Sequence, residues 1–132
     1  MAQGKKKILV VDDEPNFLEL IKIRLEANGY EVVLARDGRE ALERLEGDPV
    51  DAVLLDIMMP KMHGIDVLEN IRKKNKTLPV FMITAYSSEE NFRRAKALGA
   101  AGYIAKTSDL NKEVQDITAI LRLSGRYKGQ ET

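Results

Sequence analysis

Two hydrophobic rhythms alternate along this chain. The first is a short, unbroken apolar run: Ile8-Leu9-Val10-Val11, Ala52-Val53-Leu54-Leu55, Val80-Phe81-Met82-Ile83 and the shorter Tyr103-Ile104-Ala105, with residues 31–35 as a more mixed stretch. Runs this short, apolar at consecutive positions, predict strands buried on both faces of a parallel sheet. The second is helical spacing. Phe17, Leu18, Ile21 and Leu25 repeat after Pro15, which suits a first helical turn, and stop at Asn28-Gly29. Ala41, Leu42 and Leu45 mark a short second helix. Ile65, Leu68 and Ile71 mark a third, with Lys73, Lys74 and Lys76 in and just past its last turn, where cations suit the helix dipole. Ser87 with Glu90 forms a capping-box pattern for a fourth helix, which stops at Gly99. Leu110, Val114, Ile117 and Leu121 line a fifth. Five strand–helix units in succession predict a doubly wound α/β fold with a five-stranded parallel sheet. Residues 1–125 are expected to form one domain and residues 126–132 a short polar tail.

Composition narrows the function classes. The 21 basic and 21 acidic side chains balance, so no global field draws nucleic acid or a charged membrane. Aromatic residues are sparse, which weakens any base-stacking surface. The absence of cysteine excludes disulfides, thiolate metal sites and thiol catalysis, and fits a reducing compartment. The apolar run behind the basic first residues is too short for a signal peptide or a membrane span. A soluble cytoplasmic protein without membrane insertion or direct nucleic-acid binding is the expectation.

The candidate chemistry sits where the strands end. Asp12 and Asp13 follow the first strand, Asp56 the third, Thr84 the fourth and Lys106 the fifth. Ligand crevices of open parallel sheets lie outside the carboxyl ends of the strands, so all five residues belong to one edge. Three carboxylates packed together repel one another, and a hard divalent cation with oxygen ligands, Mg²⁺, relieves that repulsion. Lysine and hydroxyl add donors for phosphate oxygens, and a carboxylate held among them can accept a phosphoryl group as nucleophile.

This constellation resembles the receiver domain of bacterial two-component response regulators, the CheY-like fold. The resemblance covers residues 6–124 and is carried by Val11-Asp12-Asp13-Glu14-Pro15, Leu55-Asp56-Ile57-Met58-Met59-Pro60, Gly64, Ile83-Thr84-Ala85-Tyr86, Gly99-Ala100 and Tyr103-Ile104-Ala105-Lys106. It implies sheet order 2-1-3-4-5. It implies that Asp56 is the phosphoacceptor, that Asp13, Asp56 and the Met58 backbone carbonyl are direct Mg²⁺ ligands, and that Asp12 binds the ion through water. Thr84 and Lys106 take the place of the phosphate sensors, and Tyr103 that of the switching aromatic. The donor implied is a sensor histidine kinase or a histidine phosphotransfer protein. The surface of helix 4, strand 5 and helix 5 is the face expected to change toward a downstream protein partner. The chain is expected to act as a single-domain signalling protein, not a turnover enzyme, catalysing only transfer to its own Asp56 and the hydrolysis that follows. Met58 and Tyr86 occupy the positions that flank the path of hydrolytic water, and their side chains predict a long-lived phosphoryl group.

One position departs from the pattern. Receivers usually carry proline after the lysine, joined by a cis peptide, and here Thr107 follows Lys106. A cis bond before a non-proline residue costs about 3–4 kcal/mol, so a trans bond is expected. Other side chains have plainer readings. His63, the single histidine, reads as a solvated loop residue, Arg93, Arg94 and Lys96 as a solvated helix face, and the methionines as core or loop filler.

Three competing functions fit less well. A haloacid dehalogenase-like phosphatase needs its nucleophile on the first strand and a second acid two residues later, whereas Asp12 and Asp13 are adjacent and Asp56 stands alone on the third. A flavodoxin-like flavin carrier needs a hydroxyl- and glycine-rich loop after the first strand, and Asp12-Asp13-Glu14 would repel the flavin phosphate. A pseudo-receiver that binds partners without phosphorylation would not need the full acid set.

Overall fold

The computed structural model describes residues 6–85, 88–106 and 109–131, with residue 110 and residues 123–131 described by their backbone alone. Strands β1 (Lys7–Val11), β2 (Glu31–Ala35), β3 (Ala52–Asp56), β4 (Val80–Thr84) and β5 (Gly102–Ala105) alternate with helices α1 (Pro15–Ala27), α2 (Gly38–Gly47), α3 (Gly64–Lys74), α4 (Glu89–Ala97) and α5 (Leu110–Glu131). The strands form one parallel sheet in the order β2-β1-β3-β4-β5, as the resemblance implied.

Strand alternation sorts the core into two layers. Ile8, Val10, Leu54, Phe81 and Ile83 pack with Phe17, Leu18, Ile21 and Leu25 of α1 and with Val114, Ile117 and Leu121 of α5. Leu9, Val11, Val53, Leu55, Val80 and Met82 pack with α2, α3 and α4 through Ala41, Ile65, Leu68, Ile71 and Ala95. The three central strands are buried on both faces, which is why their sequences read as continuous apolar runs. β2 lies at the sheet edge, where Val32, Val33 and Leu34 are only half-buried, and its sequence is correspondingly mixed.

The helix ends show local causes. Pro15 sits in the first turn of α1, and Gly29, at φ 91°, turns the chain away after it. Asp37 caps α2 by accepting from the Glu40 amide at 2.8 Å.

Three expectations need correction. The cap of α4 is Ser88, whose Oγ accepts from the Asn91 amide at 3.0 Å, one residue later than the capping-box pattern placed it. Starting there turns Ala95 onto the sheet, and Ser87 lies outside the described residues. His63 is not a bare loop residue: its Nδ1 accepts from the Ile65 amide at 3.3 Å and caps α3. The stretch predicted as a tail continues α5 to Glu131. Gly125, just before it, and Gly129 within it weaken a helix without breaking it, and no proline intervenes. No helix among the described residues is long and apolar enough to cross a membrane.

Candidate functional site

The sheet order creates the site. From β1 the chain moves outward to β2, then returns across β1 to β3, so helices leave the two neighbouring strands toward opposite faces. The crevice between those helices opens at the carboxyl ends of β1 and β3. Register matters as much as order. Val11 pairs with Leu55, so the residues that follow, Asp12 and Asp56, emerge side by side. Asp12 shares its strand face with Ile8 and Val10, and Asp56 with Leu54, the face covered by α1 and α5.

Asp12, Asp13 and Asp56 place carboxylate oxygens within 4.8 Å of one another. Asp12 is fully buried, Asp56 is 4% exposed and Asp13 faces solvent. Lys106 reaches in from the end of β5, donating to Asp12 Oδ2 at 2.6 Å and lying 3.6 Å from Asp56 Oδ2. Its ammonium also stands 5.0 Å from the centre of the Phe17 ring, a cation–π contact that steers it across α1. The Glu14 amide donates to Asp12 Oδ1 at 2.9 Å, and the Met58 amide to Asp56 Oδ1 at 3.3 Å. Each buried acid is therefore held from both ends, one oxygen on a backbone amide and the other toward the lysine.

Electrostatics follow from burial. Loss of hydration pushes the Asp56 carboxyl up to about 6, and the charge of Asp12 adds to this against the opposing charge of Lys106. Burial likewise raises Asp12, although its hydrogen bond and charge contact with Lys106 resist. Burial works against the charge on Lys106, but the bond to Asp12 and the nearby charges of Asp12, Asp56 and Glu113 outweigh it and hold the ammonium above its ordinary value. A crevice with three carboxylates against one lysine lacks positive charge. Its donor set is all oxygen, and that suits a hard divalent cation such as Mg²⁺.

The loop after Asp56 is pressed against the site. Gly64 opens α3 where a Cβ would lie 2.2 Å from the Asp56 carbonyl oxygen, so only glycine allows α3 to start there. The Gly64 amide donates to the Ile57 carbonyl at 2.7 Å and closes the loop. Within it the Met62 amide donates back to the Pro60 carbonyl at 2.8 Å around Lys61 at φ 73°, a tight three-residue turn in a conformation uncommon for a side chain of that size. Sequence reading missed this turn, because lysine carries no turn signature.

Thr84 is buried at the end of β4, and its carbonyl accepts from the Lys106 amide at 2.7 Å, which fixes the β5 end beside it. By alternation Thr84 lies on the face toward α2, α3 and α4, with Met82 and, across the pair to β5, Tyr103. Tyr103 is half-buried and packs edge-on against Phe92 of α4, with ring centres 5.2 Å apart. Its hydroxyl is enclosed and has no hydrogen-bond partner among the described residues. Met58, two residues after Asp56, is 49% exposed. Tyr86 and Thr107, and with Thr107 the peptide that departs from the receiver pattern, lie outside the described residues.

Fold and site together define a doubly wound α/β protein with an acidic, lysine-bearing crevice at the switch point of its sheet. Residues 8–118 match the response regulator receiver domain, and the chain belongs to that family. It is 40% identical over 119 residues to the alkaline phosphatase synthesis transcriptional regulatory protein PhoP of Bacillus subtilis, a match covering 90% of this chain and 50% of that one. It is 44% identical over 118 residues to the transcriptional regulatory protein CpxR of Escherichia coli, covering 89% and 50%. The chain thus spans about half the length of the curated relatives it matches. Among solved structures, a CheY-like receiver domain protein from Methanospirillum hungatei superposes with a TM-score of 0.81 at 32% identity, covering 93% of this chain and 98% of that one. The response regulator TrrA of Thermotoga maritima, in complex with Mg²⁺ and BeF, superposes at 0.74 with 38% identity, covering 87% and 98%.

Proposed function

We propose that this chain receives a phosphoryl group on Asp56 from a sensor histidine kinase or a histidine phosphotransfer protein in the cytoplasm, in a Mg²⁺-dependent reaction. The phosphorylated state then presents an altered surface to a downstream protein. The observation that carries this reading is a buried carboxylate, Asp56, set 3.6 Å from the Lys106 ammonium in a three-acid crevice.

In the transfer, an Asp56 oxygen attacks phosphorus while the bond from phosphorus to the donor imidazole nitrogen breaks. The electron pair stays on the imidazole, which takes up a proton. Asp13, Asp56 and the Met58 carbonyl would hold Mg²⁺ directly, with Asp12 acting through water. The ion supplies positive charge to the crowded oxygens of the transferring group. Lys106 would neutralise a phosphoryl oxygen after a short shift of its ammonium from Asp12, 2.6 Å away, toward Asp56, 3.6 Å away. The Met58 amide, already on Asp56 Oδ1, keeps the nucleophile oriented.

The output is read through Thr84 and Tyr103. The incoming phosphoryl brings about −1.5 to −2 charges, which draw the Thr84 hydroxyl toward the crevice. Tyr103 shares its sheet face and touches α4 through Phe92, which supports a route by which a change at Thr84 would alter the α4 side of the expected α4, β5 and α5 face. Incubation with acetyl phosphate, with Mg²⁺ or with EDTA, followed by intact-mass measurement, tests the reading. Gain of one phosphoryl group with Mg²⁺ alone is the expected result, and equal labelling in EDTA would contradict it.

A further inference from the structure

Met58 combines two properties that the other described methionines lack. Met59 is 9% exposed, Met82 is fully buried and Met62 is half-buried against Gly38, whereas Met58 is 49% exposed. Its backbone also touches the reacting group, since its amide donates to Asp56 Oδ1 at 3.3 Å. Its side chain is therefore open to solvent, two residues along the chain from Asp56 and one peptide from the bond network that holds the nucleophile.

We propose that Met58 is an oxidation site: a peroxide converts its thioether to the sulfoxide, and the sulfoxide shortens the life of the phosphoryl group on Asp56. The step balances. The peroxide O–O bond breaks, one oxygen bonds to sulfur, sulfur gives up two electrons, and the remaining oxygen leaves as water or alcohol. Accessible thioethers react first, because the oxidant must reach the sulfur lone pair.

The consequence rests on the reading of Asp56 as phosphoacceptor. Hydrolysis needs a water aligned behind phosphorus, and that water needs a partner to hold its proton side. A thioether is a poor acceptor, so Met58 would shield the phosphoryl without ordering water there. A sulfoxide oxygen is a strong acceptor on the same flexible stem. It takes a hydrogen bond from water and leaves a water lone pair free to face the phosphoryl. Oxidation would turn a shield into a holder of the attacking water, so the same residue would report oxidative conditions by clearing the signal faster. One added hydrogen bond to the attacking water corresponds to an acceleration of about five- to tenfold.

The test uses the whole chain and its Met58→Leu variant, each labelled with acetyl phosphate before and after mild hydrogen peroxide. Peptide mass spectrometry follows the order of oxygen uptake, and phosphate release gives the lifetime. The expected result is oxygen uptake at Met58 ahead of Met59, Met62 and Met82, with about five- to tenfold faster release from oxidised wild type. Met58→Leu should release at the same rate with and without peroxide. Prior oxidation of Met59, Met62 or Met82, an unchanged wild-type lifetime, or equal acceleration in Met58→Leu would overturn the proposal. Failure of untreated wild type to take any label would overturn the Asp56 reading itself, and is seen before peroxide is added.

Discussion

At the scale of single residues, the site is a balance between burial and charge. Asp56 holds its proton more tightly in the fold, at about 6, than the value of 3.8 for a free carboxyl. The native state therefore binds more protons than the unfolded chain between about pH 4 and pH 6, and stability falls as pH rises through that window. Above it, the ionised Asp56 costs the metal-free protein on the order of 2–3 kcal/mol. Asp56→Asn keeps an acceptor for the Met58 amide and removes the charge. In EDTA at pH 7.5 it should unfold at higher urea than wild type, with the advantage shrinking as pH falls and vanishing below about 4. An advantage that stays constant across that range would show that charge burial is not its source. The meeting of these side chains was legible in the sequence, because acids and a lysine at strand ends have one place to meet. The 2.6 Å bond of Lys106 to Asp12 was not, because a strand-end pattern places a side chain at an edge without choosing its partner.

At the scale of elements, the strands and helix faces follow from periodicity, while several ends do not. Ser88 rather than Ser87 caps α4, and His63 caps α3, because a cap is chosen by which residue leaves the helix face on the sheet. Two neighbouring serines carry the same capping chemistry. Continuation of α5 past Gly125 was hidden by a polar composition that reads as a tail. Glycines divide by what surrounds them. At Gly64 a methyl group would meet the Asp56 carbonyl at 2.2 Å and the Ile57 Cα at 2.7 Å, both backbone atoms of the site. Gly64→Ala should destabilise the protein by at least about 2 kcal/mol and slow phosphorylation by acetyl phosphate. At Gly47, with nothing within 4 Å of such a methyl, Gly47→Ala should be neutral or stabilising by up to about 1 kcal/mol. Urea unfolding of both variants checks the pair, and similar losses at the two sites would contradict the packing argument.

At the scale of the whole molecule, the fold joins an acidic edge to a distant face. Thr84 lies at that edge, and Tyr103 lies on the same sheet face, in contact with α4. If the two residues form one switch, a double-mutant cycle of Thr84→Ala and Tyr103→Ala, read from chemical shifts of the phosphorylated protein, should depart from additivity by at least about 0.5 kcal/mol. Additive effects would separate the two residues. Sheet order was implied by the receiver resemblance and the position of the crevice by the residues at the strand ends, whereas the division of the core between α1 with α5 and α2 with α3 and α4 became visible only in the fold.

The central claim is that Asp56 becomes an acyl phosphate. Borohydride reduces an acyl phosphate, but not a free carboxylate, to the alcohol, so treatment of the acetyl phosphate-labelled protein followed by peptide sequencing reads the site directly. The account predicts homoserine at position 56, formed only with Mg²⁺. Homoserine at position 12 or 13, or none at all in labelled protein, would contradict it.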